Sequence, residues 1–122
     1  MRPPQAAESS TEGEPTTCCG GTHELSAADL RTDARLLSAV SNDTRYETLR
    51  YVAGAGEAGT CVCDLQPLVG VTQGTISNAL SRLYDAGLVN RRKEGRWRYY
   101  TTTPAADRLL STLDELREAD DE

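Results

Sequence analysis

The chain has 122 residues with 19 acids against 13 bases, a formal charge of −6. That length supports one domain with a modest core and is too short for two. No apolar run reaches the roughly eighteen residues that a membrane helix needs, and "MRPPQAAESSTEGEPTT" contains no stretch fit for a secretory signal, so the expected location is cytoplasmic.

The four cysteines then point to metal or redox chemistry before structural disulfides. Only one of the bases is lysine, Lys93. Acid excess with scarce lysine suggests adaptation to a salty cytoplasm, where a well-hydrated acidic surface keeps the chain soluble. The plainer alternative is a GC-rich genome and an ordinary acidic protein.

Residues 1–25 are rich in Pro, Glu, Ser, Thr and Gly and read as a mobile arm that carries Cys18-Cys19-Gly20-Gly21. Ser26 and Asp29 fit a capped helix start, and Leu30, Ala34 and Leu37 recur at helical spacing. A second start signal lies at Ser41–Thr44, with an apolar stripe of Tyr46, Leu49, Val52 and Ala53. Gly54, Gly56 and Gly59 close that helix. A short helix follows to Val69, burying Val62, Leu65 and Val69. Pro67 is tolerable only in a first turn, which argues for a start near Cys63 or Asp64. Gly70-Val71 makes a tight turn and Thr72 caps the next helix. There Ile76, Ala79, Leu80 and Leu83 share one face, with Gly74, Asn78 and Ser81 opposite. Gly87 ends it.

"LVNRRKEGRWRYYTTT" changes period. Trp97, Tyr99 and Thr101 alternate with Arg98, Tyr100 and Thr102, which gives a hairpin with its tip at Glu94-Gly95. Thr103-Pro104 opens a last helix striped by Leu109, Leu110, Leu113 and Leu116. The expected fold is mainly α with a small β-hairpin: a winged helix-turn-helix of about five helices and a two-stranded wing over residues 26–116. An acidic tail follows at 117–122.

Charge is concentrated. Arg82, Arg91, Arg92, Lys93, Arg96 and Arg98 face only Asp85 and Glu94 within one segment. Helix, tight turn, helix and basic wing together point to DNA. Thr72, Gln73, Thr75, Ser77, Asn78, Ser81 and Arg82 lie where a helix would enter the major groove. Gln and Asn can pair with adenine there, and Thr methyls can touch thymine. Arg91, Arg92, Lys93, Arg96 and Arg98 would hold phosphates or a minor groove. Trp97, Tyr99 and Tyr100 are expected to pack the wing onto the domain rather than stack on bases.

From about Asp43 to Leu110 the chain resembles the ArsR family of winged-helix repressors, through "CVCDL", "VTQGTISNALSRLYDAGLV" and "RRKEGRWRYYTTT". The resemblance implies a homodimer built by the first and last helices, a palindromic double-stranded operator, and release on binding an inducer. One departure is Ala79, where many members carry histidine. In metal-responsive members "CVCDL" marks a thiolate site, so the resemblance makes Cys61 and Cys63 ligands. Residues i and i+2 of a helix point nearly opposite ways, so the two sulfurs converge only if Cys61 precedes the helix. The third cysteine of many arsenic-responsive members is replaced by Gln66. By the same resemblance Cys18 and Cys19 complete the set.

Soft thiolates select As(III), Sb(III), Cd(II), Pb(II) or Zn(II). The last-helix zinc site of other members needs histidines, and Asp107, Asp114 and Glu115 alone do not make it. His23 reads as a solvated arm residue. Two alternatives keep the fold: thiol oxidation as the signal, or cysteines acting as small core hydrophobes. A third, a thiol-dependent reductase, lacks a βαβ core, a substrate-cradling loop and an acid/base partner beyond His23; the chain is not expected to be an enzyme.

Overall fold

The computed structural model describes residues 21–120; the expected ligands Cys18 and Cys19 lie outside them. The first helix, α1, spans Ala27–Ala39, and α2 spans Asp43–Gly54. After a single 3-10 turn at Gly56–Ala58 come α3 (Val62–Val69) and α4 (Gln73–Asp85). Strands β1 (Val89–Glu94) and β2 (Trp97–Thr102) form an antiparallel hairpin, and α5 runs over Pro104–Asp120.

Local chemistry sets the boundaries. The Ser26 hydroxyl accepts from the Asp29 N–H, the Asn42 carbonyl oxygen from Arg45 N–H, and the Thr72 hydroxyl from Thr75 N–H at 3.1 Å. Each pairs one of the orphan donors of a helix start. Thr103 does double duty. Its hydroxyl accepts from the Ala106 N–H and donates to the Gly87 carbonyl at 2.8 Å, which ties the start of α5 to the end of α4. Arg45 bonds the carbonyls of Ala39 and Ser38, closing the end of α1 against α2.

The core sits between α2, α3, α4 and the root of the wing. Leu49, Val52, Leu65, Ile76, Leu80, Leu83 and Leu88 are all fully buried. Each contributes about 1.5–3 kcal/mol of apolar burial. Tyr100 from β2 and Ala106 and Leu110 from α5 complete it. The buried Thr48 hydroxyl donates to the Thr44 carbonyl at 2.7 Å and so costs no unpaired group.

The structure departs from expectation at Pro67, at the hairpin tip and at the C-terminal tail. The α1 stripe Leu30, Ala34 and Leu37 is exposed, with Leu37 60% open. The contacts to the core come from Leu36, Ala39 and Val40 instead. Among the described residues, nothing covers the outer face. Pro67 lies well inside α3, whose first residue is Val62. Its ring removes the N–H that would pair with the Cys63 carbonyl. Both residues are exposed, so water can serve that carbonyl. The hairpin tip is Gly95-Arg96, because Glu94 is already paired with Trp97. The last helix also continues to Asp120, through the first residues of the segment read as a tail.

Candidate nucleic-acid interface and thiol site

The site begins at Thr60. Its N–H donates to the Tyr100 carbonyl at 3.1 Å, and its carbonyl accepts from Tyr100 N–H at 2.8 Å. The chain two residues ahead of α3 is thereby stitched to β2. Gly59 makes this approach possible. It sits at φ 81°, ψ 176°, and a Cβ there would lie 3.1 Å from the Tyr100 carbonyl oxygen. That backbone region is essentially reserved for glycine.

Cys61 follows as the N-cap of α3, extended at φ −114°, ψ 171°. Its carbonyl accepts from the N–H groups of Asp64 and Leu65. Because Cys61 precedes the helix and Cys63 lies in its first turn, the sulfurs converge. The two Sγ atoms are 2.7 Å apart and both thiols are free. Cys61 is buried and Cys63 exposed. Burial pushes the Cys61 thiol above its ordinary range, and the hydrogen bond with Cys63 adds to that; the Asp64 N–H opposes it. The buried Cys61 thiol is held toward its protonated form, and a cation must displace that proton to bind.

Asp64 was not anticipated as a third group. One of its carboxylate oxygens lies within 4.8 Å of both sulfurs. The signal was available: an acid in the first turn of a helix is drawn to its N-terminus, and here that turn also carries Cys63.

The thiols open into a cleft of about 600 Å³. Its second wall is the stripe Gln73, Ser77 and Ser81 on α4, spaced one helical turn apart. Its third wall is the wing, through Lys93, Arg96, Trp97 and Arg98. The remaining α4 candidates face elsewhere. Thr75 and Asn78 line a hollow with Asn42 and Thr44 at the start of α2. Arg82 lies beside Arg35 and Asp85 near the end of α1. The Thr72 hydroxyl is engaged in capping and in a 2.9 Å contact with the Thr75 hydroxyl.

The register of the hairpin divides the wing bases. Val89 pairs with Thr102, Arg91 with Tyr100, and Lys93 with Arg98. These six side chains share one face, the one that turns toward α4. Arg91 is on that face but stacks on the Tyr84 ring, 4.2 Å from its centroid. Arg92 is on the other face. It bonds Glu94 at 2.8 Å and the Ala58 carbonyl at 3.2 Å, and lies over Tyr99. Among the aromatics, Tyr100 packs inward as expected. Trp97 does not: it stays half exposed at the wing tip, beyond the reach of the core.

On α5, two of the three carboxylates considered for a second metal site are already engaged. Asp114 pairs with Arg50 at 2.9 Å and with Arg117, which hold its carboxyl below the usual carboxylate range. Asp107 accepts from the Thr102 hydroxyl at 2.7 Å. His23 accepts from the Leu25 N–H at an exposed position. Among the described residues, the grouping suited to a metal ion is Cys61, Cys63 and Asp64.

Comparison with known proteins agrees with this geometry. Residues 42–91 match the family described as "Bacterial regulatory protein, arsR family". A "Putative arsenical resistance operon repressor ArsR2" of Halobacterium salinarum is 55% identical over 100 residues, 82% of this chain and 83% of that protein. A second from the same organism, "Putative arsenical resistance operon repressor ArsR", is 48% identical over 72% of this chain and 67% of its own length. Among solved structures, a homodimeric winged helix-turn-helix DNA-binding domain from Mycobacterium bovis, "a possible ArsR-family transcriptional regulator", aligns with a TM-score of 0.68. It is 29% identical and covers 75% of this chain and 83% of that one. No described helix is long and apolar enough to cross a membrane. The fold, the wing and the extent of these matches lead to one conclusion: the chain belongs to the ArsR family of winged helix-turn-helix regulators.

Proposed function

We propose that this chain is a cytoplasmic transcriptional repressor that leaves its operator when a thiophilic metal(loid) ion is captured by Cys61 and Cys63. The observation that carries the reading is the convergence of two free thiols in a cleft shared with the exposed stripe of α4. A ligand in that cleft acts on the DNA-facing side chains without a relay through the core. The naming of relatives as arsenical resistance operon repressors favours As(III) or Sb(III) over Cd(II), Pb(II) or Zn(II). Cys18 and Cys19 are candidate further ligands.

The DNA-reading residues are Gln73, Ser77 and Ser81 on one stripe of α4 and Thr72, Thr75, Asn78 and Arg82 on its other flank. Lys93, Arg96 and Arg98 supply phosphate contacts, with Arg91 behind them. Arg92, held on the far face, is the weakest of the proposed set. The protein works as a homodimer. Leu30, Leu37 and Leu116 leave an apolar strip on α1 and α5, beside a hollow lined by Val40, Tyr46 and Leu113. The relatives are regulators by name, and the reading assigns no catalytic step.

The test is operator binding by the reduced full-length protein, titrated with arsenite and separately with cadmium. Release by about 5–150-fold in affinity is expected from one of them, and Cys61→Ser/Cys63→Ser should bind DNA but not respond. A double variant that responds normally refutes the metal(loid) claim. The 2.7 Å approach of the sulfurs also favours a second reading, thiol oxidation as the signal. A response that persists under anaerobic reduction excludes it.

A further inference from the structure

The cleft has a thiol floor and a cationic rim, and the reading above uses the two separately. Trivalent arsenic makes three bonds, yet the described residues bring two sulfurs together. Gln66 stands one turn further along α3 without a thiol, and the Asp64 carboxylate is a hard donor that soft arsenic disfavours. The cleft, at about 600 Å³, is far larger than an ion and leaves room for an organic group.

The rim supplies the second observation. Lys93 and Arg98 stand directly opposite each other in the hairpin register, both exposed. Like charges in that relation destabilise a hairpin. Arg96 joins them from the turn. Among the described residues, none of the three is paired with a carboxylate. A cluster that costs stability and lines the same cleft as a thiol pair is arranged for an anion seated on those thiols.

We infer that the cleft holds arsenic capped by one small anionic thiolate in place of Cys18 or Cys19, with Cys61 and Cys63 supplying two sulfurs, a low-molecular-weight monothiol bearing a carboxylate supplying the third, and Lys93, Arg96 and Arg98 holding that carboxylate. This rests on the metal(loid) reading and names the form in which the ion is kept. Arsenite, As(OH)₃, reacts with the two protein thiols and one external thiol. Three As–O bonds break and three As–S bonds form. Each thiol proton leaves with a hydroxide as water, and arsenic stays trivalent throughout. The carboxylate then occupies the cations that otherwise meet phosphate, so capture and DNA release draw on the same groups.

The test weighs the adduct directly. Reduced full-length protein is titrated anaerobically with arsenite in equal excesses of 3-mercaptopropionate, 2-mercaptoethanol or cysteamine, and examined by native mass spectrometry. The expected product is protein plus one arsenic plus one mercaptopropionate. Half-saturation should come at about tenfold less arsenite than with the cationic cysteamine, given attraction in one case and repulsion in the other at low ionic strength. The neutral thiol should fall between. In Arg96→Ala/Arg98→Ala the three curves should converge while arsenic is still taken up; comparing wild type with variant cancels differences in how each thiol binds arsenite in solution. An adduct with arsenic and no external thiol overturns the inference and gives the third sulfur to the protein; equal saturation with all three thiols overturns it by removing the role of the cationic rim. Absence of arsenic from the wild-type adduct overturns the metal(loid) reading itself.

Discussion

Gly59→Ala is the perturbation that most directly probes how the thiol site is held. Two costs add. The residue sits at φ 81°, ψ 176°, where an L side chain is strained by about 1–3 kcal/mol. The new Cβ would also meet the Tyr100 carbonyl oxygen at 3.1 Å, Thr101 Cγ2 at 3.2 Å and Tyr99 Cβ at 3.4 Å. All three neighbours belong to β2, the strand that pairs with Thr60, so relief requires the bridge to open. A total loss of about 2–4 kcal/mol follows, the upper part coming from that displacement. With a urea slope of about 2 kcal/mol/M for a domain of this size, the midpoint should fall by about 1–2 M at fixed protein concentration. Gly54→Ala is the control, because nothing lies within 4 Å of its Cβ and its φ is ordinary. It should be neutral or slightly stabilising. Since Thr60 carries Cys61, arsenite affinity measured by native mass spectrometry should drop in Gly59→Ala and not in the control. A midpoint shift under about 0.3 M, or a full loss of stability with unchanged arsenite affinity, would refute the claim that the bridge positions the thiol.

The pH dependence should separate the ions. Burial keeps the Cys61 thiol protonated at neutral pH, so cadmium affinity should rise by up to about tenfold per pH unit for each proton displaced. Arsenite affinity should stay flat, because those protons leave as water; parallel slopes would contradict the scheme. The same raised thiol stabilises the fold fully below the ordinary thiol range and loses that contribution as pH rises through the raised value. Cys61→Ser should therefore flatten the alkaline fall in the urea midpoint. On the wing, Lys93→Ala or Arg98→Ala should each reduce the salt slope of operator binding by about 1, whereas Arg92→Ala should leave it unchanged; an equal effect from Arg92 would show that it leaves Glu94 and Ala58 to meet DNA. Leu37→Glu with Leu116→Glu should give a monomer in sedimentation equilibrium, and a persisting dimer would move the interface off α1 and α5.

What could be read from the chain was whatever local chemistry decides. Ser26, Thr72 and Thr103-Pro104 mark helix starts because their side chains or ring satisfy the needs of a helix end, and those needs are the same in any fold. The α4 face of Ile76, Ala79, Leu80 and Leu83 was legible because one long stripe meets one core. The converging thiols followed from a geometric condition, that Cys61 precede the helix, and the condition holds. The Thr60 bridge was not legible, since a strand of one residue has no period to detect. Pro67 misled because the rule against interior proline weighs the missing hydrogen bond as though it were buried, and here it is at an exposed edge. Hairpin register follows from the turn, and placing the tip one residue early hides which face each base occupies. The α1 stripe is exposed among the described residues, and a helical period alone does not say what covers it.

An acidic chain that reads DNA needs its two charges kept apart, and the fold does so. The bases Lys93, Arg96 and Arg98 ring the cleft between α4 and the wing, while Asp29 and Asp33 on α1 and Glu115 and Glu118 on α5 are exposed on other elements. At an ionic strength near 1 M the screening length is about 3 Å, against about 10 Å at 0.1 M. Acids on remote helices would then cease to repel a duplex, while each base that touches phosphate would lose about tenfold in affinity per decade of salt. High salt therefore weakens the repulsion between the domain and DNA together with the attraction, and net charge stops governing the encounter. What is left at short range is the cleft itself, where the thiols sit beneath those same bases. On the proposed reading, a ligand seated there would act on the groups that meet phosphate, and so a switch at the mouth of α3 would govern DNA binding in a protein of overall charge −6.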